Sequence, residues 1–129
     1  MDAKVENRDG IFVVSLSGKM DFESADSLKA KCLQRFSETD VIFNLRELSF
    51  VGSSGITPFL ELLQALSQNL GPRFKICSVG NEFLRLFESE ATGGIEIYRD
   101  LSDAQRAFLS GEVQALTRLR PFGLKLTID

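Results

Sequence analysis

The chain has 129 residues, the span of one domain, and 43% of them are hydrophobic, eleven Phe included. A chain of this kind can bury a substantial core, which excludes disordered and collagen-like classes. Fifteen basic residues against eighteen acidic ones leave a net charge of −3, no footprint for sequence-independent nucleic-acid binding or for an anionic membrane surface. There is no His, which removes the usual general base, the His-dependent triads and every zinc site built on imidazole.

The N-terminus, MDAKVENRDG, has mixed charges and no apolar run, so a secretory signal is not expected. Ile11–Leu16 (IFVVSL) is β-branched and aromatic, follows an Asn-Arg-Asp-Gly turn signal and stops at Gly18; it reads as a strand, with Lys4 to Glu6 as its hairpin partner. Ala25, Leu28, Cys32 and Phe36 recur at three- and four-residue steps, one face of a helix, with Glu23 and Asp26 near its positive end. Asp40–Leu45 is a nearly continuous apolar run, as in a strand covered on both sides, and a second patch, Leu48–Val51, follows it. Ile56, Phe59, Leu60, Leu63, Leu66 and Leu70 form another helical face, which Gly71-Pro72 stops. Pro58 is expected in or just after the first turn, where few intrahelical N–H bonds are lost.

Phe74–Val79 reads as a strand, 81–91 as a short helix, 94–98 as a last strand, and Ser102-Asp-Ala-Gln105 as a capping box opening a last helix through about Leu109. Strands separated by helices imply parallel crossovers, and the opening hairpin supplies an antiparallel edge. The expectation is α/β: one mixed, mostly parallel sheet with packed helices. Residues 1–110 form the domain. Residues 111–129 are too apolar for a free tail and are expected to pack on the domain or on a second copy, as a homodimer. No apolar stretch is long enough to span a bilayer, so no direct membrane insertion is expected and the reading is cytoplasmic.

Two Cys, at 32 and 77, cannot build a four-ligand metal site or a disulfide framework, and are read as reduced, buried thiols. No cofactor and no metal are implied, and no carboxylates pair at a catalytic spacing.

One segment has unusual local chemistry. Gly52-Ser53-Ser54-Gly55 joins an apolar strand to an amphipathic helix, and a helix N-terminus with its unpaired N–H groups can accept an anion or a phosphoryl group. The plainer reading makes Ser53 or Ser54 an N-cap and gives Gly55 a close backbone approach. A P-loop is excluded, because Ile56 stands where that motif needs Lys. A nucleophile elbow fails as well, since the pattern is not G-x-S-x-G and no His can activate the Ser. Asp21, after a strand and before a helix, occupies the same kind of edge, or is simply a helix-entry residue.

Val41-Ile-Phe-Asn-Leu-Arg-Glu-Leu-Ser-Phe-Val-Gly-Ser-Ser-Gly-Ile56 resembles the core signature of STAS domains, the group containing bacterial anti-sigma factor antagonists. Leu16-Ser-Gly-Lys-Met-Asp21 resembles that family's Gly-x-Leu-Asp segment, and Ser78–Phe87 its later loop and helix. The similarity covers roughly residues 3–110. It implies a STAS fold and a non-enzymatic module that engages an anti-sigma factor with serine-kinase activity, and so a role in transcription regulation. It makes Ser53 the phosphoacceptor and puts Asp21, Gly52, Ser53, Ser54, Gly55 and Ile56 on the partner surface, with Ser54 as the cap. Gly52 departs from the family, which carries an acidic residue there. STAS domains that are not phosphorylated serve in signalling assemblies and in ABC-type lipid transport complexes, and the resemblance leaves that constitutive role as the alternative.

Overall fold

The computed structural model describes residues 1–50, 52–80, 84, 95–109 and 117–118, with the backbone alone at 50, 52–54, 117 and 118. In chain order they form β1 (Asp2–Arg8), β2 (Ile11–Met20), α1 (Phe22–Arg35), β3 (Asp40–Phe50) and α2 (Gly52–Leu70). A 3-10 turn (Gly71–Arg73), β4 (Phe74–Cys77), β5 (Glu96–Tyr98), α3 (Leu101–Leu109) and β6 (Thr117–Arg118) follow. One mixed sheet carries the strands in the order β1-β2-β3-β4-β5-β6. Its middle, β2 to β5, is parallel, and β1 and β6 are antiparallel edges.

Strand order and handedness together place the helices. Successive parallel strands step in one direction across the sheet, so right-handed crossovers put α1 and α2 on the same face. There Ala25, Leu28 and Cys32 of α1 and Phe59, Leu62, Leu63 and Leu66 of α2 pack on Val14, Leu16, Val41, Phe43, Phe74, Ile76 and Ile97. The edge-on pair Phe43 and Phe74, with ring centroids 5.1 Å apart, lies in this core. The second face holds Ile11, Val13, Ile42, Cys77 and Tyr98, covered by Ala104 and its neighbours on α3. Alternation along the strands sorts the two sets, with Phe74 and Ile76 to one face and Lys75 and Cys77 to the other.

The hairpin exceeds the expected Lys4–Glu6 pairing, since all of Asp2–Arg8 pairs with Ile11–Ser17. β2 runs through Gly18 to Met20, still paired with β3. The two apolar patches 40–45 and 48–51 are one strand as far as Phe50, because a register shift between Ser15 and Ser17 gives β3 an extra residue. That bulge returns Leu45 and Leu48, three apart, to one buried face. α3 opens at Asp100, not at Ser102: the Asp100 carboxylate accepts from Asp103 N–H at 2.8 Å and its carbonyl from Ala104 N–H at 3.2 Å. Ser102 therefore sits inside the first turn.

With α2 starting at Gly52, Pro58 stands in the second turn, just after the first, and its missing N–H leaves the Ser54 carbonyl without its donor four residues on. Of the helix expected over 81–91 only Leu84 is described; its N–H donates to the Gly80 carbonyl at 2.9 Å. Beyond residue 110 only β6 is described, paired with β5.

Under α3 lies a buried polar cluster. Lys75 and Glu96 are opposite residues of β4 and β5 and form an ion pair at 3.1 Å, 6% and 8% exposed respectively. Tyr98 donates its hydroxyl to Glu96 at 2.9 Å. The Lys75 ammonium also donates to the Pro72 carbonyl at 3.2 Å and stands 4.5 Å from the Phe108 ring centroid. With every partner supplied, the pair can be buried without an orphaned charge.

Candidate functional site

At the carboxyl ends of β2, β3 and β4 the chain leaves the sheet, the edge at which open α/β sheets bind ligands. β2 ends at Met20 and Asp21 turns the chain into α1. The Asp21 backbone is extended, and its carboxylate accepts from Ser24 N–H at 2.8 Å, satisfying one of the helix's orphan donors. That hydrogen bond holds the Asp21 carboxyl below its ordinary range, so it is ionised at neutral pH. The side chain remains exposed.

α2 begins on the neighbouring strand end, and Gly55 fixes its approach. A Cβ added at Gly55 would collide with the Met20 carbonyl oxygen and lie 3.3 Å from the Asp21 Cα. Only glycine fits, as the close-approach reading anticipates. This backbone contact brings the Gly-Lys-Met-Asp21 segment and the Gly-Ser-Ser-Gly segment side by side. Ile56, partly buried, packs on the first-face core.

Neither serine precedes the helix. α2 already includes Gly52, so Ser53 and Ser54 stand in its first turn, which corrects the expectation that Ser54 is the cap. The first-turn N–H groups have no intrahelical acceptor. No acidic residue stands in that turn and Gly52 brings no carboxylate, so the carboxylate that the Gly55 contact brings beside the start of α2 is that of Asp21.

Sequence reasoning missed Phe22. It follows Asp21 in the first turn of α1 and is 61% exposed, although it stands three residues before Ala25 and so continues the spacing of the stripe Ala25, Leu28 and Cys32 that the helix buries. Periodicity therefore carried no signal of its exposure. From the third loop, Ser78 adopts a left-handed φ of 61° and donates its N–H to the Tyr98 carbonyl at 3.2 Å. The rest of the Ser78–Phe87 segment beyond Gly80, Leu84 apart, lies outside the described residues.

Both thiols are free and buried, as read from the sequence. Burial raises each to about 11, far from a reactive thiolate. Among the described residues no three His, Cys, Asp or Glu side chains gather as a metal site. No described helix is long and apolar enough to cross a membrane.

Residues 2–104 match the model of the STAS domain family, and the chain belongs to that family. It is 25% identical over 91 residues to an anti-sigma F factor antagonist from Paenibacillus polymyxa, covering 68% of this chain and 77% of that one. The crystal structure of an anti-sigma factor antagonist from Mycobacterium paratuberculosis is similar, with a TM-score of 0.61 and 27% identity over 82% of this chain and 92% of that one. Two more distant structures share the fold. RsbS from Moorella thermoacetica, as a serine-to-glutamate variant, has a TM-score of 0.65 at 16% identity, covering 84% of this chain and 96% of that one. The anti-sigma factor antagonist SpoIIAA in its unphosphorylated form has a TM-score of 0.57 at 19% identity, covering 85% and 99%. The chain is thus a STAS domain similar to anti-sigma factor antagonists.

Proposed function

We propose that this chain is a non-enzymatic regulatory module that binds a protein partner, an anti-sigma factor with serine-kinase activity, and that phosphorylation of Ser53 releases that partner. The partner surface comprises Asp21, Phe22, Gly52–Gly55 and Ile56. The observation that carries this reading is the contact of Gly55 with Met20 and Asp21, which joins both family-like segments at one corner of the fold. The similarity to two anti-sigma factor antagonists supports the class of partner.

The chemistry of release follows from charge. A phosphoryl group on Ser53 adds about −1.5 to −2 charges. At a helix start that charge is tolerated in the free protein. Within a contact it must lose its water, near the carboxylate of Asp21, so a complex that forms with the hydroxyl is lost with the phosphate.

A second reading is favoured by Gly52, which leaves this corner without the family's carboxylate: a constitutive subunit of a signalling or transport assembly, not phosphorylated. One experiment separates the two. Wild-type and Ser53→Asp baits are used for affinity capture from native extract, and the captured partner is given labelled ATP with wild type or Ser53→Ala as substrate. The switch predicts a partner held by wild type and lost by Ser53→Asp, with phosphate on wild type only. Phosphate on Ser53→Ala removes the site assignment, and the same partner on both baits with no phosphate on wild type supports the constitutive subunit.

A further inference from the structure

β1 is an edge strand, and among the described residues nothing pairs with its outer side. Such an edge offers free backbone donors and acceptors to another strand. Which residues offer them follows from the hairpin. Arg8 and Ile11 flank a two-residue turn, Asp9-Gly10, whose residues both have left-handed φ, 55° and 84°. In such a turn the flanking residues exchange hydrogen bonds, so the even-numbered residues of β1 direct N–H and C=O toward β2. Ala3, Val5 and Asn7 direct theirs outward.

The side chains alternate in step. Val5 packs against the first-face core, while Asp2, Lys4, Glu6 and Arg8 line the opposite face, negative, positive, negative, positive. Read backwards the series is positive, negative, positive, negative: it is complementary to its own reversal. Antiparallel pairing of two such strands about Val5 sets Asp2 opposite Arg8 and Lys4 opposite Glu6, each pair occurring twice by symmetry. The same register pairs Val5 with Val5 and Ala3 with Asn7, the residues whose N–H and C=O face outward, and so closes about six backbone hydrogen bonds.

No neighbouring register does both. A slip of one residue sets outward groups against inward ones. A slip of two brings Lys4 opposite Lys4, or Glu6 opposite Glu6, and like charges directly opposite are repulsive. Charged edges commonly repel other strands, but here the two nearest registers that match the outward groups set like charges opposite, and the one centred on Val5 sets opposite charges opposite. Within one copy, moreover, the cations are short of anions. Glu6 alone serves Lys4 at 3.5 Å and Arg8 at 3.2 Å, and Asp2 has no cation partner among the described residues. A second copy corrects that shortage.

We propose that two copies of this chain associate through β1, antiparallel about Val5, joining their sheets into one across a two-fold axis. The interface uses no residue of the candidate partner site and stands independently of the function proposed above. Lys4 is 77% exposed, Arg8 44% and Glu6 36% in their side chains, so exchanging their charges disturbs no core.

Sedimentation velocity across a wide concentration range tests this with Lys4→Glu, Glu6→Lys and the double variant. Wild type is expected to shift from monomer to dimer as concentration rises. Each single variant places like charges opposite twice and is expected to weaken self-association at least about tenfold, roughly 1.4 kcal/mol. Mixed in equal amounts, the two single variants are complementary again and form a heterodimer, and the double variant recovers the wild-type homodimer. Unchanged circular dichroism establishes that each is folded. A wild type that stays monomeric throughout, single variants that dimerise like wild type, or a mixture that fails to pair overturns the proposal.

Discussion

Asp21 has two roles that substitution can separate. As the cap of α1 it needs only an acceptor for Ser24 N–H, which Asn supplies and Ala does not. As a partner-facing carboxylate it needs its charge. Asp21→Asn is expected to keep the thermal midpoint close to wild type while weakening the partner complex, whereas Asp21→Ala lowers both; equal binding by Asp21→Asn confines the residue to capping. The pH dependence has a definite sign. Because the folded-state carboxyl lies below its ordinary value, its stabilisation is complete above about pH 4 and is lost as pH falls through the depressed value. Asn does not titrate, so the stability of wild type relative to Asp21→Asn should decline on acidification over that window, measured by denaturant titration.

Elements meet at this site through backbone, and that makes Gly55 the sensitive position. Gly55→Ala must push the start of α2 away from Met20, because the atom in the way is a carbonyl oxygen rather than a yielding side chain. A loss of about 1–3 kcal/mol in chemical denaturation is expected, with weaker partner binding in the variant that remains folded; stability within error of wild type would show that α2 can move without cost. Gly55 was legible in the sequence because two glycines around two serines at a strand–helix junction have few other uses. The bulge in β3 was not, since Arg46-Glu47 interrupts the apolar run and only the pairing with β2 shows that the strand continues. Nor was the cap of α3. It depends on which residue starts the helix, and Ser102 and Asp100 are equally good caps until the chain direction at Tyr98 is fixed.

At the scale of the whole molecule, two cores flank one sheet, and the second depends on a charge pair. Glu96→Gln keeps an acceptor for Tyr98 but leaves the Lys75 ammonium buried without its counter-charge, and a loss of about 3–5 kcal/mol is expected. Lys75→Met added to it should recover a large part of that loss, a non-additivity read from a double-mutant cycle in urea; purely additive losses would mean that the two side chains act separately. The mixed sheet, its antiparallel first edge and its helical crossovers could be read from element order alone. The order of strands across the sheet could not, because periodicity says which face is buried and never which neighbour is chosen. That order coincides with the order of synthesis. As the chain leaves the ribosome, each new strand finds its neighbour already made and docked, and no strand has to wedge between two others. An incomplete nascent chain therefore ends in a growing margin rather than a gap, and the sheet can be laid down one strand at a time from its amino-terminal hairpin.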